Sequence, residues 1–331
     1  MSGINTWQVE SSQNGSKPAP GAGSALLTAH HPLSNLKLIP APLRGALTAA
    51  LLGLNTLVAF SLMVPPALVK LLVPANGVRA GCDRLLNALA GGWVAINNAW
   101  IAAVCPAPWR VQGVEGLNRR GWYLVSSNHQ SWVDILVLQR VFHRRIPFLK
   151  FFLKRELVWV PVMGLAWWAL DFPFLKRGRG RGAGRGDLAT TRRSCEKFRR
   201  VPTAVINFVE GTRFTAAKHA AQHSSYRHLL EPRTGGLGVA LATMGEQFEA
   251  MLDVTIVYPE GTPSFWALLC GNVKAVTVDV RQCAIPPNLL GAGSSGNRAH
   301  RQRIRKWVEG RWAEKDRLIQ RLLAEPRSAP E

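Results

Sequence analysis

The chain has 331 residues, 47% of them hydrophobic, enough for one large domain or two ordinary ones with a sizeable buried core. Lys and Arg number 41 against 20 Asp and Glu, and the formal net charge of +21 implies a polyanionic partner: nucleic acid, anionic lipid headgroups or a phosphorylated substrate. The 5 cysteines, at 82, 105, 195, 270 and 283, form no CxxC pair and no Cys/His cluster, which excludes a disulfide framework and a zinc site and predicts reduced, mostly buried thiols.

Residues 1–43 are rich in Ser, Gly, Pro, Asn and Ala without periodicity and read as a disordered lead-in. They do not open with the charged region and apolar core of a signal peptide. From Gly45 to Val69 no residue is charged, a run long enough to cross about 30 Å of hydrocarbon as a helix. Arg44 and Lys70 close its ends. Pro65-Pro66 predicts a bend, a break or a re-entrant helix. A weaker stretch, Leu85 to Val104, carries Trp93 and Trp100 and reads as an interfacial helix or the second arm of a hairpin, so that 44–105 forms one membrane helix or a helical hairpin. The chain's 12 Trp against 3 Tyr suit a membrane interface.

From 106 to 290 the pattern is α/β. Trp109–Glu115 alternates like a strand, and Trp122–Val125 reads as another. Ile135, Leu136, Leu138, Val141 and Phe142 then recur at helical spacing. Between strand and helix stands Asn128-His129-Gln130-Ser131-Trp132-Val133-Asp134. With His129 in the turn and Asp134 in the first helical turn, the carboxylate can fold back onto the imidazole and orient a base able to take a proton from a hydroxyl; the alternative is a polar N-cap turn in which His129 merely hydrogen-bonds. Ile146–Phe152 is a further apolar run, and Val158–Leu170 reads as a helix against the sheet or dipping into the interface. Lys176 to Arg200 is a basic block whose Gly-Arg part, 178–186, lacks the interleaved aromatics of a base-stacking surface; this favours phospholipid contact or a solvated loop over nucleic acid. Asp187 caps the helix that follows. Thr203–Val209 is a buried strand ending at Glu210-Gly211-Thr212-Arg213, where Gly211 permits a tight turn and Arg213 offers a fork for phosphate. Further strands are expected at Leu252–Val257 and Val273–Val280. Residues 291–331 are a flexible linker and a basic amphipathic helix. Ile304, Val308, Ile319 and Leu322 mark one face, and Arg301, Arg303, Arg305, Lys306, Arg311, Lys315 and Arg317 the remainder, suited to an anionic membrane or to capping the domain.

Four blocks in order give the chain a resemblance: Asn128 to Asp134; Phe174-Leu175-Lys176-Arg177, preceded by Phe151 to Leu157 and Gly164; Phe208-Val209-Glu210-Gly211-Thr212-Arg213; and Val257-Tyr258-Pro259. Over 109–290 the chain resembles the lysophospholipid acyltransferases, specifically 1-acyl-sn-glycerol-3-phosphate acyltransferases of the PlsC type. Phe214-Thr215, Lys218-His219 and Pro232-Arg233-Thr234-Gly235-Gly236 are similar to the branch that includes lysocardiolipin acyltransferases and a bacterial YihG-like group. Val209 and Phe214 replace the commoner Pro and Ser, and the 178–186 insertion is not a family feature.

The resemblance implies a glycerolipid acyltransferase-like fold, a mixed sheet flanked by helices, and transfer of a fatty acyl group from acyl-CoA or acyl-carrier protein to the free hydroxyl of a lysophospholipid. Lysophosphatidic acid is preferred over acceptors such as lysocardiolipin or lysophosphatidylglycerol. It implies His129 as general base and Asp134 as its orienting partner. The phosphate-binding set is Arg177, Lys176, Glu210, Gly211, Thr212 and Arg213, in which the two arginines grip and Glu210 and Gly211 shape the loop. Trp132, Lys154, Gly164, Trp167 and Pro259 become candidates for acyl-chain or acyl-donor contact. No metal or resident cofactor is implied, and the expected setting is a bacterial inner membrane with the site on the cytoplasmic face. Two other readings compete: a membrane-tethered nucleic-acid binder, and a family member degenerated into a lipid-binding scaffold, which intact His129, Asp134, Glu210 and Arg213 argue against.

Overall fold

The computed structural model describes residues 25–26, 38–105, 107–151, 153–154, 159, 163–172, 174–175, 202–290 and 298–325. Helices α1 (Ala41–Leu72) and α2 (Asn76–Val104) pack together as a hairpin. A polar clip joins them: Asn55 Nδ2 donates to Asn97 Oδ1 (2.7 Å) and to Trp93 O (3.1 Å), and Trp93 Nε1 donates to Thr56 Oγ1 (3.1 Å). Among the described residues α1 alone is long and apolar enough to cross a membrane, and Leu54, Leu57, Val58 and Leu62 stand exposed on it.

Three sequence expectations are revised here. The lead-in has one ordered piece, the short strand β1 (Ala25–Leu26), paired antiparallel with the strand at 109–112. Helix α1 starts at Ala41, before Arg44. It also runs through Pro65 and Pro66 without ending. The prolines remove the donors that would meet the carbonyls of Ser61 and Leu62; Met63 and Pro66 are buried there, Met63 in a cluster with Leu86 of α2.

Both ends of α1 are fastened to the α/β domain. At its start, Arg44 Nε donates to Cys270 O (2.8 Å). Gly45 lies so close that a Cβ there would come within 2.6 Å of Cys270 Sγ. At its end, the Lys70 ammonium pairs with Asp171 and with Asp83 (2.6 Å) and donates to Ala169 O (3.1 Å).

The remaining elements are β2 (Trp109–Gln112), β3 (Tyr123–Ser127), α3 (Val133–Phe142), β4 (Leu149–Phe151), β5 (Leu153–Lys154), α4 (Met163–Ala169), β6 (Phe174–Leu175), β7 (Ala204–Phe208), α5 (Ala216–Gln222), α6 (Gly235–Met244), β8 (Ala250–Val257), α7 (Phe265–Leu269), β9 (Val276–Cys283) and α8 (Arg298–Ala324). Seven strands form one mixed sheet in the order β1-β2-β9-β8-β3-β7-β4, and β5 and β6 pair apart from it. Strand alternation sorts the core. Tyr123, Val125, Ile206, Leu252, Val254 and Ile256 face α3. Leu124, Val205, Met251 and Val257 face α6 and α8. Four of the cysteines, Cys82, Cys105, Cys270 and Cys283, are buried and free.

The apolar stripe of α8 packs on the sheet, with Ile304, Val308, Trp312, Ile319 and Leu322 buried, so that face is not available to a membrane. Lys315, placed by charge on the exposed face, is instead fully buried. Its Nζ lies 2.6 Å from Asp253 Oδ1 and donates to Val254 O (2.5 Å) and Thr255 Oγ1 (3.3 Å). The alternation that turns Val254 towards α3 turns Asp253 and Thr255 towards α8. Removing one member of a buried pair strands the other charge. Lys315→Ala should therefore lower the unfolding free energy by about 3–5 kcal/mol, while Lys315→Met with Asp253→Leu should recover most of the loss; denaturant unfolding of the two variants checks this.

Candidate active site

Strand β3 lies between β7 and β8 and is parallel to both, so three carboxyl ends open on one edge. Such edges are where open α/β sheets bind ligands. The register sets Ser127, the end of β3, beside Phe208, the end of β7. It also sets Ser127 beside Val254, so β8 overhangs β3 by the residues up to Val257. Asn128 fills the missing strand position with its side chain: Nδ2 donates to Ile256 O (2.9 Å) and Oδ1 accepts from Ile256 N (2.9 Å).

The chain then turns at His129 and enters α3. Asp134, in the first turn of α3 and wholly buried, receives four donors. Its Oδ2 accepts from Gln130 N (2.6 Å) and Ser131 N (2.9 Å) and lies 2.8 Å from His129 Nδ1; its Oδ1 accepts from the Tyr258 hydroxyl (2.6 Å). Since Asp134 acts only as acceptor here, His129 carries its proton on Nδ1 and presents Nε2 with a free lone pair. Among the described residues Nε2 has no hydrogen-bond partner. The imidazole stacks on Phe208, centroids 4.0 Å apart at 15°, so the ring is held on its face as well as its edge. Burial, and next the adjacent Asp134 carboxylate, push the Tyr258 hydroxyl well above its usual pKa and keep it a donor.

Beyond β7 the Glu210-Gly211-Thr212-Arg213 loop closes on the same turn. Gly211 has φ 67°, where a side chain would be strained, and Phe214 N donates to His129 O (2.7 Å). Glu210 is fully buried and faces backbone: Oε1 accepts from His129 N (2.9 Å) and Oε2 from Leu230 N (3.4 Å). Burial raises its pKa to about 8, against the two amides, which lower it. Arg213 is exposed, its guanidinium 4.9 Å over the Trp132 ring. Lys218 Nζ fastens the loop by donating to Thr212 Oγ1 (2.8 Å) and Arg213 O (2.9 Å). Lys176 and Arg177 lie outside the described residues.

The five residues singled out for acyl contact are not gathered at one point. Trp132 is at the mouth beside Arg213, and Pro259 follows β8 on the turn that leads to Ser264. Gly164 and Trp167 are on α4, where Trp167 packs with Met63, Leu86, Leu170 and Phe172 under the hairpin. Lys154 ends β5, and its side chain lies outside the described atoms. A row of rings connects the two regions: Phe208 to Phe151 (6.2 Å), Phe151 to Phe172 (6.4 Å) and Phe172 to Phe148 (6.2 Å). Sequence reasoning passed over Asn128, Tyr258 and Lys218 as site residues. Tyr258 carried a signal, since it belongs to the last of the four blocks.

Residues 108–259, which hold every one of these loop residues, match the family model described as Acyltransferase. The chain is 27% identical over 226 residues to 1-acyl-sn-glycerol-3-phosphate acyltransferase 2 of Arabidopsis thaliana, covering 63% of this chain and 54% of the relative. It is 25% identical over 295 residues to lysocardiolipin acyltransferase 1 of Danio rerio, covering 84% of this chain and 71% of that one. The chain thus spans about half the length of the plant relatives it matches. In fold it is similar to the crystal structure of the 1-acyl-sn-glycerophosphate (LPA) acyltransferase PlsC of Thermotoga maritima, with a TM-score of 0.51 at 18% identity over 87% of this chain and 100% of that one. Residues 108–259 of this chain thus form an α/β domain that matches the Acyltransferase family model, in a fold similar to that of PlsC.

Proposed function

We propose that the chain is a membrane-associated O-acyltransferase that moves a fatty acyl group from acyl-CoA or acyl-carrier protein to the free hydroxyl of a lysophospholipid, with lysophosphatidic acid as acceptor and phosphatidic acid as product. The observation that carries this is His129, oriented by Asp134 and with Nε2 open at the carboxyl edge of three parallel strands. Nε2 takes the proton of the acceptor hydroxyl as its oxygen attacks the thioester carbonyl. The thiolate leaves with that proton, returned by the imidazolium. Arg213, exposed beside the turn, grips the acceptor phosphate, and Arg177 completes the clamp. A second reading, an acceptor such as lysocardiolipin, is favoured by the greater share of this chain that the Danio rerio relative covers.

Within the same proposal Glu210 positions the base from behind: its carboxyl holds the His129 amide and faces no solvent. The row of rings from His129 towards the hairpin gives the acyl chain its direction. The hairpin seats the domain on the membrane. Arg44 and Lys70 are about 39 Å apart along α1, more than the roughly 30 Å of hydrocarbon, and both are fastened to the one α/β domain. A crossing α1 would put Cys270 and Asp171 on opposite faces of the bilayer, so α1 lies in the near leaflet. Because both donors are cytosolic molecules, the site faces the cytoplasm.

Three outcomes follow from this reading. His129→Ala should reduce kcat by about 10²–10⁴ or more with the fold intact, and Asp134→Asn should do the same by releasing the ring; wild-type turnover in His129→Ala, followed by product mass spectrometry, sinks the mechanism. Arg213→Ala should raise the KM for lysophosphatidic acid roughly 10- to 100-fold, the loss of one charge-assisted contact, and leave the KM for the acyl donor in place. Glu210 binds its proton more tightly in the folded than in the unfolded chain. Its contribution to stability therefore falls as pH rises from about 5 to 8. Glu210→Gln should flatten that part of the stability profile, read by urea unfolding across the range.

A further inference from the structure

A cavity of about 430 Å³ lies between α2 and the far end of α3. Asp134 lies in the first turn of α3 and Phe142 closes it, about 12 Å further along the axis, so the cavity lies at the other end of the helix from the His129 turn. None of its lining residues is a carboxylate, and three of them are basic: Arg119, His143 and Arg144. The two arginines are exposed and have no acidic partner among the described residues. Both act on the same imidazole, since after burial it is Arg144 and Arg119 that hold His143 below its usual pKa. Gln139 also lines the cavity, is 8% exposed, and its buried Oε1 accepts no hydrogen bond. A buried acceptor left open costs roughly 1–3 kcal/mol unless a ligand or water satisfies it.

Gly91 and Gly92 leave the α2 side of the cavity open; a Cβ on either meets nothing within 4 Å. The cavity mouth continues along an exposed stripe of α2, Leu85, Ala88, Gly92 and Ile96, at helical spacing. Phe142 and Phe148 close the inner wall.

We propose that this cavity is a second lipid site, which takes the headgroup of an anionic phospholipid bearing a free hydroxyl. The phosphate sits among Arg119, His143 and Arg144, the hydroxyl donates to Gln139 Oε1, and the acyl chains follow the α2 stripe. The donor set fits this class of ligand in both halves: an anion for the cations, an O–H for the orphan acceptor. A free phosphate would satisfy the cations and leave the stripe bare. The site goes beyond the acyl-transfer reading and does not depend on it.

The test uses the full-length chain in detergent and follows carbethoxylation of His143 by peptide mass spectrometry, with His228 as internal reference. Dihexanoyl phosphatidylglycerol at ten times its dissociation constant should slow His143 modification about 10-fold and leave His228 unchanged. Dihexanoyl phosphatidylcholine and inorganic phosphate should give little protection. Arg119→Gln with Arg144→Gln should remove the protection. So should Gly91→Leu, which fills the cavity and improves helix propensity. Both variants keep acyl transfer, which separates failure here from failure of the catalytic assignment. The proposal is overturned if phosphatidylglycerol leaves His143 as reactive as before, if protection survives in both variants, or if inorganic phosphate protects equally.

Discussion

Four donors converge on one buried carboxylate, and the rest of the domain can be understood from that point. Asp134 draws the amides of Gln130 and Ser131 into a tight turn, orients His129 and receives Tyr258 from the far side of the sheet edge. A carboxylate stripped of water is costly unless its lone pairs are filled. Here each oxygen is filled by a group from a different part of the turn or from the end of β8, so the turn cannot relax without leaving the charge exposed to apolar core. The requirement of burial and the geometry of the base are the same constraint. It also explains why β3 is central: only a strand with parallel neighbours on both sides brings Phe208 under the ring and Tyr258 behind the acid.

A second polar layer lies behind the first, on the α8 side of the sheet. Glu210 holds the backbone of His129, and Lys315, buried against Asp253, contributes a positive field that Glu210 feels. The helix supplying Lys315 is the last of the described elements, and the strand supplying Asp253 is the one whose end carries Tyr258. The two layers therefore meet in β8, with Val254 and Ile256 turned to one face and Asp253 and Thr255 to the other. Sliding β8 by one residue would bury Asp253 among the α3 side chains without a partner.

How much of this was legible in the sequence depended on whether a signal was periodic or pairwise. The strand-turn-helix around His129 was legible because alternation gave way to 3.6-residue spacing within a few residues, and the His129–Asp134 geometry followed from where that change falls. Strand ends came within about three residues. Lys315 was misplaced because its charge outweighed its position: it falls on the same stripe as Ile304, Val308, Trp312 and Ile319, and only the partner Asp253, distant in sequence, makes a buried lysine tolerable. Glu210 is expected to shape the phosphate loop, and only the fold shows which backbone amides its carboxyl meets, those of His129 and Leu230. Asn128 acts as a substitute strand residue, a role that exists only once the unequal lengths of β3 and β8 are known.

Packing also joins the His129 turn to the hairpin. His129 rests on Phe208, Phe208 faces Phe151, and Phe151 reaches Phe172, which shares a core with Met63 of α1 and Leu86 of α2. The His129 imidazole and the apolar helix are thus connected by a row of aromatic rings. Arg213 and Trp132 are exposed, with the guanidinium over the indole ring. Under the acyl-transfer reading this polarity decides orientation: the phosphate stays at the wet rim with the guanidinium, and the greasy part of either substrate is drawn along the rings towards α1. Fastening α1 at both ends then keeps that path in line with the membrane surface, because a hairpin free to swing would carry Met63 and Leu86 away from Phe172 and open the row to water.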